Sequence, residues 1–150
     1  MNSIEYSAET DVDAPAAAVW ALVADYGRDP EWRDGVATMA PSPPGPVRPG
    51  TTTDERMRAM GRAYRNGGVV GEVEPGVRFT WRTTSGVDAD GARTVRDLGD
   101  GRSRVRLEVR LRPQGAQRLL APVLRAVLRR GLVADAARLR ALAERAVQRT

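Results

Sequence analysis

Residues 12–32 read VDAPAAAVWALVADYGRDPEW, and the order of events within them decides the fold. The stretch closes a short alternating strand in which Ile4, Tyr6, Ala8, Thr10 and Val12 share one face. Asp13-Ala14-Pro15 then turns the chain. Asp13 is the expected cap of the helix that follows, and Pro15 sits where a missing N–H costs nothing. Val19, Trp20, Leu22, Val23 and Tyr26 supply a broad apolar stripe, and Gly27 is the expected stop. Pro30 opens a second short helical turn that brings Trp32 round, ending at Gly35.

Beyond this start the pattern changes to period two. Residues 36–40 predict a brief strand, and residues 41–50 (PSPPGPVRPG) hold five of the ten prolines and predict a loop. Thr53, Glu55, Met57 and Ala59 fall on one face of the next strand, opposite the more charged Thr52, Asp54, Arg56 and Arg58. Gly67-Gly68 reads as punctuation before a strand at 69–74. Val77, Phe79, Trp81 and Thr83 alternate with Arg78, Thr80 and Arg82. Residues 88–91 read as a turn, 93–98 as a strand, and Gly99-Asp100-Gly101 as a hairpin. Val105, Leu107, Val109 and Leu111 then oppose Arg104, Arg106, Glu108, Arg110 and Arg112, one face for a core and one for water. After 113–115 the chain is helical. Leu139, Leu142, Ala143 and Ala146 form one stripe, whereas 119–134 is apolar almost all round, broken by Arg125, Arg129 and Arg130, with Gly131 a candidate bend.

Composition narrows the chemistry. The 150 residues contain no Cys and no His, which removes disulfides, thiol nucleophiles, imidazole bases and nearly every zinc or haem site. No acidic run has calcium-loop spacing, so neither a metal nor a cofactor is expected. The N-terminus lacks a basic region followed by an apolar one, and no apolar run approaches the ~20 residues of a membrane span, so a cytoplasmic location is expected. All 24 basic residues are Arg; a GC-rich genome is the simplest source of that bias. The first hundred residues carry 11 Arg against 16 acids, the last fifty 13 against 3. Such a basic half can attract anionic surfaces. Residues 101–150 hold no Phe, Tyr or Trp, so the aromatic platform of a nucleic-acid module is missing and no nucleic-acid partner is expected.

The sequence of one strand, two short helices, about six strands and one long helix resembles the START-like or helix-grip superfamily (SRPBCC-type), which includes polyketide cyclase/dehydrase-like and plant pollen-allergen-like (Bet v 1-like) proteins. The landmarks are Ala14-Pro15 with Val19-Trp20, the Trp32 turn, Gly50 before the third strand, Glu74-Pro75-Gly76 before Arg78-Phe79, and Leu142-Ala143-Glu144 in the last helix. The resemblance covers essentially the whole chain. It implies a single domain over 1–150 of the α+β class: a curved antiparallel sheet of about seven strands wrapped around a long C-terminal helix. By that analogy an apolar cavity lies between sheet and helix, lined by Trp32, Met57, Tyr64, Phe79, Trp81, Thr83, Leu120, Leu124 and Val127.

Three functions follow as expectations. The first is binding of one lipophilic small molecule of polyketide, isoprenoid, sterol-like or acyl class. The second is a cyclase or dehydratase working without metal or nucleotide cofactor. Its candidate groups are Glu55, a carboxylate on the same face as Met57 and Ala59 with a pKa raised by an apolar pocket, and Tyr64, a hydrogen-bond donor. In the sixth strand, alternation leaves Arg96 and Asp97 open as the inward residue. The third is a docking module whose basic C-terminal half makes peripheral contact with a membrane or a protein. Monomer and homodimer both remain open.

Overall fold

The computed structural model describes residues 3–149. Seven strands form one antiparallel sheet: β1 (Ile4–Val12), β2 (Val36–Ser42), β3 (Thr52–Ala59), β4 (Arg62–Glu74), β5 (Arg78–Ser85), β6 (Ala89–Gly99) and β7 (Arg102–Leu111). Their spatial order is β1-β7-β6-β5-β4-β3-β2, so β1 and β2 are the edges. Between β1 and β2 lie α1 (Ala16–Val23) and a 3-10 turn (Tyr26–Glu31). After β7 come a second 3-10 turn (Gly115–Leu120) and α2 (Ala121–Gln148). This is the helix-grip α+β architecture: a curled half-barrel sheet closed by a long C-terminal helix. Among the described residues, no helix is long and apolar enough to cross a membrane.

Alternation makes the sheet, and irregularities curl it. Pairing shifts between Gly67 and Gly68, and again between Val70 and Val73, so the 13-residue β4 bends along its length. Gly91 solves a packing problem. It pairs with Trp81, and a Cβ there would collide with the Glu108 carbonyl oxygen and lie 2.7 Å from the Trp81 ring. Only a residue without a side chain lets the indole lie across β6.

The second half of α2 packs on β1 and supplies Leu132, Ala136, Leu139 and Ala143 to the main core, with Val12, Val19, Leu22, Val23, Trp32, Val95, Val105 and Leu107. A smaller cluster of Ala24, Tyr26, Val47, Val70 and Phe79 plugs the end where the short helices sit. Phe79 meets Trp20 and Tyr26 edge-on, at 6.0 and 5.7 Å between ring centroids.

Several local expectations are corrected. Asp13 does not cap α1: Pro15 holds the cap position, while the Asp13 N–H donates to Glu144 and its carboxylate takes Arg102. The first helix ends at Val23 rather than Gly27, because Asp25 accepts the Gly27 N–H and starts the 3-10 turn, which contains Pro30. Pro41 and Ser42 belong to β2, which tolerates Pro because it is an edge. Gly67-Gly68 lies inside β4 rather than between strands, and residues 89–91 are already β6.

Candidate functional site

The inner faces of β3 to β7 and the first half of α2 enclose a cavity of about 580 Å³. Period-two patterning delivers its walls: Met57 from β3, Tyr64 and Asn66 from β4, Trp81 from β5, and Leu107, Val109 and Leu111 from β7. Helical spacing places Leu124, Val127 and Leu128 of α2 opposite them.

Of the residues expected at such a cavity, Trp32, Met57, Tyr64, Trp81, Thr83, Leu124 and Val127 line it, and Phe79 and Leu120 do not. Phe79 does face inward, but at the plugged end, where Trp20 and Tyr26 cover it completely. Leu120 ends the second 3-10 turn and is half exposed. Thr83 spends its hydroxyl on the backbone of Ala89, donating to its carbonyl and accepting from its N–H.

Glu55 lines the cavity too, but its surroundings are not the apolar pocket expected from the sequence. One oxygen accepts from Arg33 Nη1 at 2.7 Å and the other from Asn66 Nδ2 at 3.0 Å. Arg33 also donates to Asp29 at 3.0 Å, and Asp29, fully buried, binds Arg93 through two further hydrogen bonds of 2.9 and 2.7 Å. Arg93 completes its contacts on the Val23 carbonyl and stacks on the faces of Tyr26 and Trp32. Asn66 is held in turn by the Val87 N–H. Burial opposes the charge on Arg33, yet Glu55 and Asp29 together outweigh it and hold its pKa above the usual value. Arg93 is treated alike by burial and by Asp29.

Asp135 enters the cavity from α2. Burial raises its pKa above the ordinary carboxyl value, against the pull of Arg33, Arg138 and Arg93. Arg138 ties Asp135 to the turn by bonding both its carboxylate and the Trp32 carbonyl. The indole N–H of Trp32 is buried with no hydrogen-bond partner among the described residues. Polar groups are therefore linked along one continuous network, from Asn66 through Glu55, Arg33, Asp29 and Arg93, with Asp135 and Arg138 beside it. The rest of the wall is largely hydrocarbon.

The sequence reading missed this network. In β6 neither Arg96 nor Asp97 is buried; the buried charge is Arg93. Alternation carried the signal, since Arg93 shares a parity with the apolar Val95. Asp29 lay in the quoted turn but gave no sign of its partner 64 residues away.

A family model described as polyketide cyclase / dehydrase and lipid transport matches residues 3–144. No curated protein matches. Among solved structures, the Zhui aromatase/cyclase from Streptomyces sp. R1128 superposes with a TM-score of 0.83 at 18% identity, covering 97% of this chain and 96% of that one. A START superfamily protein from Mycobacterium smegmatis gives 0.73 at 13% identity, covering 97% and 99%. A Polyketide_cyc-like protein from Corynebacterium glutamicum gives 0.69 at 19% identity, covering 99% and 96%. At these identities the superpositions speak for the fold.

Proposed function

Since this chain belongs to the polyketide cyclase/dehydrase and lipid transport family, we propose that it holds one lipophilic small molecule with a polar end inside the sheet. The observation that carries this reading is the cavity of about 580 Å³ with its two-part wall. That volume falls within the roughly 300–1,000 Å³ of small-molecule sites. Apolar burial against Trp81, Met57, Val109, Leu124 and Leu128 supplies affinity, at about 25 cal/mol per Å² removed from water. The network at Arg33, Glu55, Asn66 and Asp135 fixes which end of the ligand points inward. A polyketide, isoprenoid, sterol-like or acyl compound bearing a carbonyl or hydroxyl at one end fits this division.

The test is native mass spectrometry of freshly purified protein, followed by organic extraction. A stoichiometric lipophile supports the reading. A clean mass, together with indole fluorescence indifferent to a panel of such compounds, overturns it.

A second reading is favoured by Asp135. A carboxyl that burial holds protonated to higher pH, in the same cavity as a carbonyl-sized polar end, suits proton transfer in a cyclisation or dehydration. In this reading Asp135, rather than Glu55 with its two hydrogen-bond donors, is the acid. Asp135→Asn then stops turnover while binding survives; retained turnover removes it.

A further inference from the structure

We propose that the second 3-10 turn and the first half of α2, with the β3–β4 hairpin, form a docking face for an anionic lipid bilayer. Leu119 is 86% exposed and Val123 50%, and Leu120 and Val127 are exposed beside them. Leu120, Val123 and Val127 recur at helical spacing, so they make one ridge. Across the cavity opening Met60, at the hairpin tip, is also exposed, and both Met60 and Val127 belong to the cavity lining. The apolar face therefore rims the cavity.

Charge selects the occupant. Residues 56–65 and 112–134 hold nine arginines and no acid. Arg58, Arg62, Arg118, Arg125, Arg129 and Arg130 are exposed and have no carboxylate partner among the described residues. Of the acids bordering these segments, Asp88 and Asp90 are paired with Arg112 and Asp135 with Arg138, which leaves Asp34 beside the face without an ion pair among the described residues. Along β7, by contrast, Arg102, Arg104, Arg106 and Arg110 all pair with carboxylates of β1 or its turn. Unpaired guanidiniums around exposed aliphatic side chains match phosphate headgroups above acyl chains. Protein-binding hot spots combine Trp and Tyr with Arg, and residues 101–150 supply the Arg but no aromatic side chain. Membrane contact here is superficial, since no described helix can span.

The test uses the full chain without added ligand, so it stands or falls apart from the cavity reading. Sedimentation is compared with vesicles of phosphatidylcholine alone and of phosphatidylcholine with about 30% phosphatidylglycerol. Binding is expected to the anionic vesicles only, and to fall between about 50 mM and about 500 mM salt. Arg125→Gln with Arg129→Gln should weaken it about thirtyfold. Leu119→Ser with Val123→Ser should weaken it further, while Arg145→Gln on the far half of α2 leaves it unchanged. All these side chains are exposed, and circular dichroism confirms folding. Equal binding to neutral vesicles, no binding to either, or indifference to the Arg125/Arg129 pair overturns the proposal. So does a concentration-dependent dimer that Leu119→Ser with Val123→Ser dissolves, which would assign the face to a second copy of the chain.

Discussion

Arg93 grips Asp29 across 64 residues of sequence through two parallel hydrogen bonds, Nη1 to Oδ1 at 2.9 Å and Nη2 to Oδ2 at 2.7 Å, with the carboxylate wholly buried. The pair bolts the turn after α1 to the middle of the sheet, and through Arg33 it reaches Glu55 on the cavity wall.

Removing Arg93 takes away two of the hydrogen bonds on the buried Asp29 carboxylate and leaves it to Arg33 alone, in a medium that does not otherwise solvate it. Arg93→Met is expected to cost about 3–5 kcal/mol in urea unfolding. Pairing it with Asp29→Leu should cost less than the two single changes summed, because the carboxylate that lost its partner is then gone too, while Arg33 keeps Glu55. Strict additivity would mean that the two groups do not act as a pair.

Gly91→Ala brings a methyl into the space of the Glu108 carbonyl and the Trp81 ring. The expected loss is about 1–3 kcal/mol, with a changed near-ultraviolet dichroism as the indole is displaced. An unchanged spectrum and midpoint would show that β6 can slide away from β5 freely.

The strand-and-helix order was legible because alternation and helical spacing are local. Val105, Leu107, Val109 and Leu111 announce β7 without help from the rest of the chain. Gly67-Gly68 was misread because a glycine pair looks the same in a turn and inside a bent strand; only Ser85 and Thr53 crowding that position distinguish the two. The polar network was largely hidden for a similar reason. An arginine that is buried and one that is solvated are the same letter, and what buries Arg93 is a carboxylate supplied from a different part of the chain. Glu55 was visible on its face, but its partner Arg33 lies 22 residues back in a turn that no periodicity connects to β3.

Phe79 and Trp81 stand two apart on one strand and separate two roles. Phe79→Ala empties a fully buried site between Trp20 and Tyr26 and should cost about 3–5 kcal/mol. Trp81→Ala opens a wall already facing the cavity. It should weaken lipophile binding at least tenfold, for roughly 60 Å² of lost apolar contact, with a smaller drop in midpoint than Phe79→Ala. A Trp81→Ala protein that loses stability as severely, and binds normally where it folds, would make the indole core rather than wall.

Asp135 gives the site a pH signature of unusual sign for a carboxylate. Burial makes the folded carboxyl hold its proton to higher pH than the ordinary value of 3.8. The folded state therefore binds the extra proton, and the stability this group contributes is complete below 3.8 and drains away as pH rises through its higher folded pKa. Asp135→Asn removes that dependence while retaining a side-chain oxygen for Arg138, whose bond to Asp135 is 2.6 Å. The melting temperature of the variant relative to the parent should then climb as pH rises through that window and level off above it. A difference that stays constant with pH would show that Arg33, Arg138 and Arg93 fully compensate the burial of the carboxylate, and would take the proton from Asp135 at the pH where an acid is needed.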